Sequence, residues 1–224
     1  MPVNDKIYRD LVQELSLKGT TLVAVSKTKP VADIKALYDL GHRDFGENYV
    51  QELVDKQSQL PADIRWHYIG HLQSNKVKYI APFVHLIHGV DSFKLLREIN
   101  KQAEKNSRVI DCLLQVHIAQ EETKFGLDEQ ELAEIVEQLV QAPLANARIK
   151  GMMGMASFTD DTDKIRNEFR YLKSLFHKYT QLQPGYFKPE ILSMGMSSDY
   201  TIAVEEGSTM VRIGSLLFGE RTAP

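Results

Sequence analysis

Thr21-Leu-Val-Ala-Val-Ser-Lys-Thr-Lys-Pro30 opens as five apolar or β-branched residues and closes on Ser26, Lys27 and a proline. Residues 21–25, apolar on both faces, read as a buried parallel strand covered by helices. Pro30 ends it, and Ile34, Leu37 and Tyr38 mark a helix that stops near Gly41. Lys27 therefore sits where a strand ends and its βα loop begins, the end at which α/β barrels place their chemistry. Alternation puts Val23, Val25 and Lys27 on one face. A lysine whose stem lies among valines is partly desolvated, which lowers its pKa and frees the amine for a Schiff base. The other reading is a strand-end lysine that snorkels to solvent.

Outward from this unit the pattern repeats. Ile7, Leu11, Val12 and Leu15 mark a helix over 3–17 before the first strand. Further strands are expected at Arg43–Phe45, Arg65–Gly70, Val84–Val90, Val109–Ile118, Arg148–Gly154, Glu190–Ser193 and Thr209–Ile213. The fifth is expected to be the longest. Helices separate them, opened by Ser92, by an Asp128/Glu131 capping box, and by Thr159 or Asp160 for the longest one. A short helix over Thr201–Glu206 is closed by Gly207. Eightfold βα alternation without a linker points to a single (β/α)8 barrel over 1–224 with an N-terminal helix. An open doubly wound sheet is the competitor, and no Gly-x-Gly-x-x-Gly follows the first strand to support its dinucleotide-binding version.

The 224 residues are 43% hydrophobic and 25% charged, with a net charge of -3. That balance offers no electrostatic attraction for nucleic acid or an anionic membrane. No apolar run approaches the ~18 residues of a membrane span, and the N-terminal Met-Pro-Val-Asn-Asp-Lys carries no signal core. One cysteine, Cys112, permits no internal disulfide. A cytoplasmic protein is expected. The histidines His67, His71, His85, His88 and His117 lack metal-ligand spacing, so no metal is expected. Neither a phosphate-binding P-loop nor a Gly-x-Ser-x-Gly elbow is present.

Barrel phosphate sites are often built by the loops after strands seven and eight. Here these read Met194-Gly-Met-Ser-Ser-Asp199 and Gly214-Ser-Leu-Leu217. Glycine lets backbone approach an anion, and hydroxyls and backbone N–H groups donate to it. On strand eight, Met210, Arg212 and Gly214 share a face, so Arg212 points into the barrel if Val211 and Ile213 meet the helices. It then either contacts a ligand or pairs with a buried carboxylate such as Glu205, Glu206 or Asp44.

Six motifs carry a resemblance that spans residues 5–219: Ala24-Val-Ser-Lys-Thr-Lys-Pro30, Phe45-Gly-Glu-Asn-Tyr49, His67-Tyr-Ile-Gly-His-Leu-Gln-Ser-Asn-Lys76, Gly151-Met-Met-Gly-Met155, Ser193-Met-Gly-Met-Ser-Ser-Asp199 and Val211-Arg-Ile-Gly214. In order and content they resemble the pyridoxal phosphate homeostasis proteins. The resemblance implies a fold-type III barrel like the N-terminal domain of alanine racemase. It implies pyridoxal 5′-phosphate (PLP) held as a Schiff base on Lys27, with Arg212 facing the pyridine nitrogen. Ser197, Ser198, Gly214 and Ser215 would hold the phosphate, and Asn48, His71 and Met155 would line the pocket. Ser198 stands where many members carry an acidic or other residue.

An arginine with a pKa above ~12 cannot protonate the ring, so carbanion stabilisation is weak, although racemases of this fold type tolerate the same arginine and it does not by itself exclude catalysis. Racemases of this fold type also need a tyrosine base from an additional β domain, and this sequence stops at Pro224, soon after strand eight. The resemblance therefore implies a monomeric PLP carrier or regulator without catalytic residues, with PLP-dependent apoenzymes as acceptors. A low-activity amino-acid racemase and a Schiff-base aldolase are the alternatives.

Overall fold

In the computed structural model of the chain, which describes residues 3–119, 125–182 and 189–219, the βα alternation closes on itself. The strands are β1 (Thr21–Val25), β2 (Asp44–Glu47), β3 (Arg65–Tyr68), β4 (Leu86–Val90), β5 (Ile110–Gln115), β6 (Ala147–Met153), β7 (Ile191–Ser193) and β8 (Met210–Ile213). Each pairs in parallel with the next, and β8 pairs with β1, so the sheet is a closed barrel in sequence order. The ends of the expected 1–224 domain, residues 1–2 and 220–224, lie outside the described residues.

The helices form the outer layer. They are α1 (Asp5–Leu17), α2 (Val31–Asp39), α3 (Val50–Gln57), α4 (Val77–Ile80), α5 (Phe93–Lys105), α6 (Glu129–Gln141), α7 (Thr162–Leu182), α8 (Tyr200–Glu205) and α9 (Ser215–Phe218). Their starts follow local chemistry. Ser92 Oγ accepts from the Leu95 N–H, and Asp128 and Glu131 form the expected reciprocal capping box. At α7 neither Thr159 nor Asp160 is the cap. Asp161 Oδ1 accepts from the N–H groups of Asp163 and Lys164, so the helix starts at Thr162. Among the described residues, no helix is long and apolar enough to cross a membrane.

Alternation sorts the strand residues as expected. Ala24, Val211 and Ile213 face the helices in the main core. Val23, Leu86, Leu113, Met153 and Met210 fill the barrel interior. Arg212 lies in that interior, on the same side of β8 as Met210. The fifth strand is not the longest. β5 ends at Gln115, whose Nε2 donates to the Phe125 carbonyl at 2.7 Å, and Val116 makes only an isolated bridge to Leu127. β6 has seven residues against six in β5. The register shifts between Cys112 and Leu113 as β6 passes from Ile149 to Gly151, the signature of a bulge.

A buried polar cluster anchors the β1 loop. Lys56 Nζ donates at 2.7 Å each to the Ser26 carbonyl, Glu47 Oε1 and Glu52 Oε1. Ser26 Oγ donates to Glu47 Oε1 at 2.6 Å, and the Thr28 N–H donates to Glu52 Oε1 at 2.6 Å. Burial pushes the Glu47 carboxyl up from its ordinary range, against the opposing pull of the Lys56 ammonium. Thr28 adopts a φ of 64°, unusual for a β-branched residue, and its bond to Glu52 helps hold that turn directly after Lys27.

Two outcomes are expected from unfolding curves read on Trp66, the chain's one tryptophan, which is buried. Lys56→Ala strands two carboxylates and the Ser26 carbonyl, and should cost about 3 kcal/mol, as for other broken buried pairs. A loss under about 1 kcal/mol would show that the cluster does not hold the loop. Gly151 has a φ of 154°, and a Cβ there would lie 1.8 Å from the Ile191 carbonyl oxygen. Gly151→Ala must displace β7, so a cost of about 3 kcal/mol or more is expected; an unchanged midpoint would contradict the close approach.

Candidate functional site

Strand ends, the loops that follow them and the first residue of α9 supply the polar groups at the C-terminal mouth of the barrel. A cavity of about 510 Å³ opens there, lined by Lys27, Asn48, Met155, Ser197, Ser198, Arg212, Gly214 and Ser215 among others. Eight of the nine residues expected at a cofactor site thus meet in one place. Val25 stands beside Lys27 in the wall, and Val23 lies below it in the interior layer, which is the face that alternation assigns. Lys27 itself is half-buried. Lys29, two residues on, also reaches the wall, but its Nζ donates to the carbonyls of Phe218 and Gly219 at 3.0 and 3.2 Å.

Arg212 is buried and satisfied by neutral acceptors. Nη1 donates to the Ser193 carbonyl (2.9 Å) and to Ser193 Oγ (2.6 Å), and Nη2 donates to the Gly154 carbonyl (3.1 Å). None of the carboxylates considered from sequence is its hydrogen-bonding partner: Glu205 and Glu206 bind Arg166 and Arg170, and Asp44 binds Arg65 and His67. Burial lowers the guanidinium to about 10, with the Asp199 carboxylate pulling the other way. That is below the value above ~12 expected from sequence, yet Arg212 remains a cation near neutral pH. Its Nε lies outside the three named bonds.

The two glycine–serine loops meet across the cavity. The Gly214 N–H donates to Ser197 Oγ at 3.3 Å, so the Ser197 O–H remains a donor. Gly195, with a φ of 99°, lets the β7 loop fold against α8; a Cβ there would lie 2.6 Å from Ala203 Cβ. Asp199 Oδ1 accepts from the Met196 N–H at 2.6 Å and fixes the loop from below. Asn48 Oδ1 is buried in this wall with no hydrogen-bond partner among the described residues, an acceptor of the kind that a bound group would satisfy.

His71 does not join them. The Tyr68 hydroxyl donates to the carbonyls of Asn48 and His71 and ties down the loop after β3. The His71 ring then turns outward, 3.1 Å from Asp91 Oδ2 and stacked on Phe125 at 4.5 Å. It lines a neighbouring cavity of about 580 Å³ with Tyr49, Lys76 and Tyr79, where only Asn48 is shared. Sequence reasoning also missed the apolar rim of Ile69, Phe158 and Leu216, which comes together only where the end of β3, the loop after β6 and α9 converge on the mouth. Among the described residues no group of three or more His, Cys, Asp or Glu side chains could hold a metal. Cys112 is buried, and burial pushes its thiol up, away from reactivity.

Comparisons with known proteins give the family. Residues 8–222 match the family described as "Alanine racemase, N-terminal domain". A relative from Aquifex aeolicus (strain VF5), called pyridoxal phosphate homeostasis protein, is 42% identical over 201 residues, 89% of this chain and 86% of its own. PipY of Synechococcus elongatus PCC7942 superposes with a TM-score of 0.89 without PLP, at 35% identity over 96% of this chain and 99% of its own. Its PLP-bound structure gives 0.86, over 95% and 100%. Alanine racemase of Clostridium difficile 630 shares the fold alone, with a TM-score of 0.75 at 15% identity; all of this chain covers 60% of it. The chain belongs to the pyridoxal phosphate homeostasis proteins, within the family of the alanine racemase N-terminal domain.

Proposed function

We propose that this chain, as one domain, binds PLP at the mouth of its barrel through a Schiff base on Lys27. It acts there as a carrier or regulator of the cofactor in the cytoplasm, with PLP-dependent apoenzymes as acceptors. One observation carries the reading: Lys27, Arg212 and both glycine–serine loops face a single cavity of about 510 Å³, a size suited to a small ligand. The PLP-bound form of PipY, 35% identical, supports it.

The residues fit the group. Bound PLP supplies an aldehyde that condenses with amines and a pyridine ring that can withdraw electrons. Lys27 supplies the amine. Ser197, Ser198, Ser215 and the N–H groups of their loops are oriented donors for a phosphate, and such donors hold an anion without a lysine or arginine fork. Asn48 brings an acceptor that is otherwise unsatisfied, and Met155 an apolar wall. Arg212, cationic and a donor only, would face the ring nitrogen and disfavour a second positive charge there. A ring left neutral stabilises carbanions poorly, which fits retention and exchange better than turnover. Phe158, 89% exposed at the rim, leaves the mouth open to an acceptor.

The visible absorption of the protein as purified decides between classes, because a Schiff-base aldolase would be colourless as purified; PLP is then added to test the band itself. We expect a Schiff-base band, lost in Lys27→Ala and kept in Lys29→Ala. After borohydride reduction, label found on Lys29 alone would overturn the lysine assignment. Ser197→Ala with Ser215→Ala should keep the band but bind PLP at least about tenfold more weakly, since each lost bond to a charged group costs about 1.5–3 kcal/mol. Equal affinity for PLP and unphosphorylated pyridoxal would place the phosphate elsewhere. Sedimentation should show a monomer; a stable dimer at micromolar concentration would contradict the one-chain site.

A further inference from the structure

The barrel interior below Arg212 is not wholly apolar. From Arg212 Nη1 the contacts run to Ser193 Oγ (2.6 Å), from Ser193 Oγ to His88 Nδ1 (3.1 Å), from His88 Nε2 to His67 Nδ1 (3.0 Å), and from His67 Nε2 to Asp44 Oδ1 (3.0 Å). His88 and Ser193 are fully buried, His67 is 1% exposed and Arg212 4%. Four strands contribute: β2, β3, β4 and β7, with Arg212 from β8. Asp44 borders a separate small cavity beside Tyr8, His42 and Arg65, so the line reaches from that cavity to the cofactor mouth.

We propose that Asp44, His67, His88 and Ser193 are positioning residues for the cofactor: the Asp44 carboxylate sets the tautomers of both imidazoles, and these turn the Ser193 hydroxyl so that it holds Arg212 against the ring nitrogen. This rests on the reading of Arg212 as the group that meets the ring of bound PLP.

Proton bookkeeping leads to one arrangement. Arg212 can only donate, so Ser193 Oγ accepts from it. Burial alone would raise the Asp44 carboxyl, but hydrogen bonds from Arg65 and His67 outweigh that and hold it well below the usual carboxylate range. Asp44 therefore only accepts, and His67 Nε2 carries a hydrogen. One hydrogen lies between His67 Nδ1 and His88 Nε2. Placed on His88, it leaves His88 Nδ1 as an acceptor, because burial holds that ring well below the ordinary imidazole range and neutral. Ser193 then donates its O–H to His88 Nδ1 while accepting from Arg212. Every bond has one hydrogen, and all donors point from the Arg212 cation toward the Asp44 anion.

Placed on His67 instead, the hydrogen makes that ring an imidazolium inside the barrel that already holds Arg212. His88 must then carry its proton on Nδ1, aimed at a serine oxygen already accepting from Arg212. The serine hydrogen loses its acceptor, a cost for a fully buried group. The first arrangement avoids both penalties.

The test has two arms on the full chain. In the cofactor-free protein, long-range ¹H–¹⁵N spectra of labelled histidines should show His67 and His88 as neutral Nε2–H tautomers. Asp44→Asn, whose amide can donate as well as accept, should shift His88, a residue it does not touch. An Nδ1–H or doubly protonated ring in the wild type, or an unmoved His88 in the variant, overturns the proposal. In the loaded protein, Ser193→Ala should keep the Schiff-base band but displace its maximum and weaken PLP about threefold to tenfold, as expected for one lost hydrogen bond. Ser193→Thr, which restores a hydroxyl, should recover both. Wild-type affinity and spectrum in Ser193→Ala overturn the link to Arg212. If Asp44→Asn fails to fold, the wild-type tautomers and the Ser193 pair still decide. If wild-type protein gives no band with PLP, the cofactor reading fails, and the tautomer arm still reports on the chain alone.

Discussion

Parallel pairing of β8 on β1 in one register is the constraint on which the site depends. It joins residues nearly two hundred positions apart and sets Leu22 beside Val211, Val23 beside Arg212 and Ala24 beside Ile213. Because side chains alternate, slipping either strand by one residue would turn its whole set to the other face. Arg212 would then enter the helix layer, among Leu217, Ala203 and other apolar groups of the main core, with its guanidinium unsatisfied. Val211 and Ile213 would lose the same layer. Desolvation of one charge and exposure of two branched hydrophobes penalise the wrong register together. The register that survives places the mouth-end continuations of both strands, Lys27 and Gly214, on one cavity.

The same barrel solves two electrostatic problems in different ways. Near Lys27 an ammonium, Lys56, is paired with carboxylates of Glu47 and Glu52 and stays next to β1. At the bottom of the cavity the Arg212 cation meets two carbonyls and a hydroxyl, with no carboxylate in hydrogen-bonding contact. Burial then lowers the guanidinium to about 10, with only the Asp199 carboxylate pulling the other way. Neutral acceptors satisfy the geometry without cancelling the charge, so the positive potential persists toward the cavity. A carboxylate in the place of Ser193 would neutralise it and remove the donor character that the site presents to a ring nitrogen or an anion.

Much of this was legible in the sequence because it depends on periodicity. The strand order, the inward face of Arg212 and the loop positions of Lys27 and Ser197 all follow from counting residues along βα units, whereas Ser215, expected in a loop, opens the short helix α9. His71 was not legible, because the tilt of its loop is set by the Tyr68 hydroxyl bonding to two carbonyls, a tertiary event. The seven-residue β6 includes the bulge before Gly151, which no periodic pattern marks. The interior chain left a partial signal: His88 shares parity with Leu86, and Ser193 with Ile191, both of which belong to or pack on the interior layer. Parity could place these side chains inside. It could not show that four strands bring them within hydrogen-bonding distance of one another.

A site of this kind favours holding over converting. A lysine Schiff base forms and exchanges readily with other amines, so the covalent bond alone gives no lasting retention; the phosphate donors and the wall must supply it. Those donors are loop groups at the mouth, Ser198 and Ser215 being exposed, whereas the groups that fix Arg212 lie deep in the barrel. On the proposed reading, retention would depend on contacts that solvent or a docking protein can reach, and ring orientation on contacts that neither can. Loosening the two loops would release the ligand without disturbing the interior. A catalyst gains from the opposite arrangement at the mouth, closed against water. The physical division of labour here, rigid below and accessible above, is that of a reversible holder.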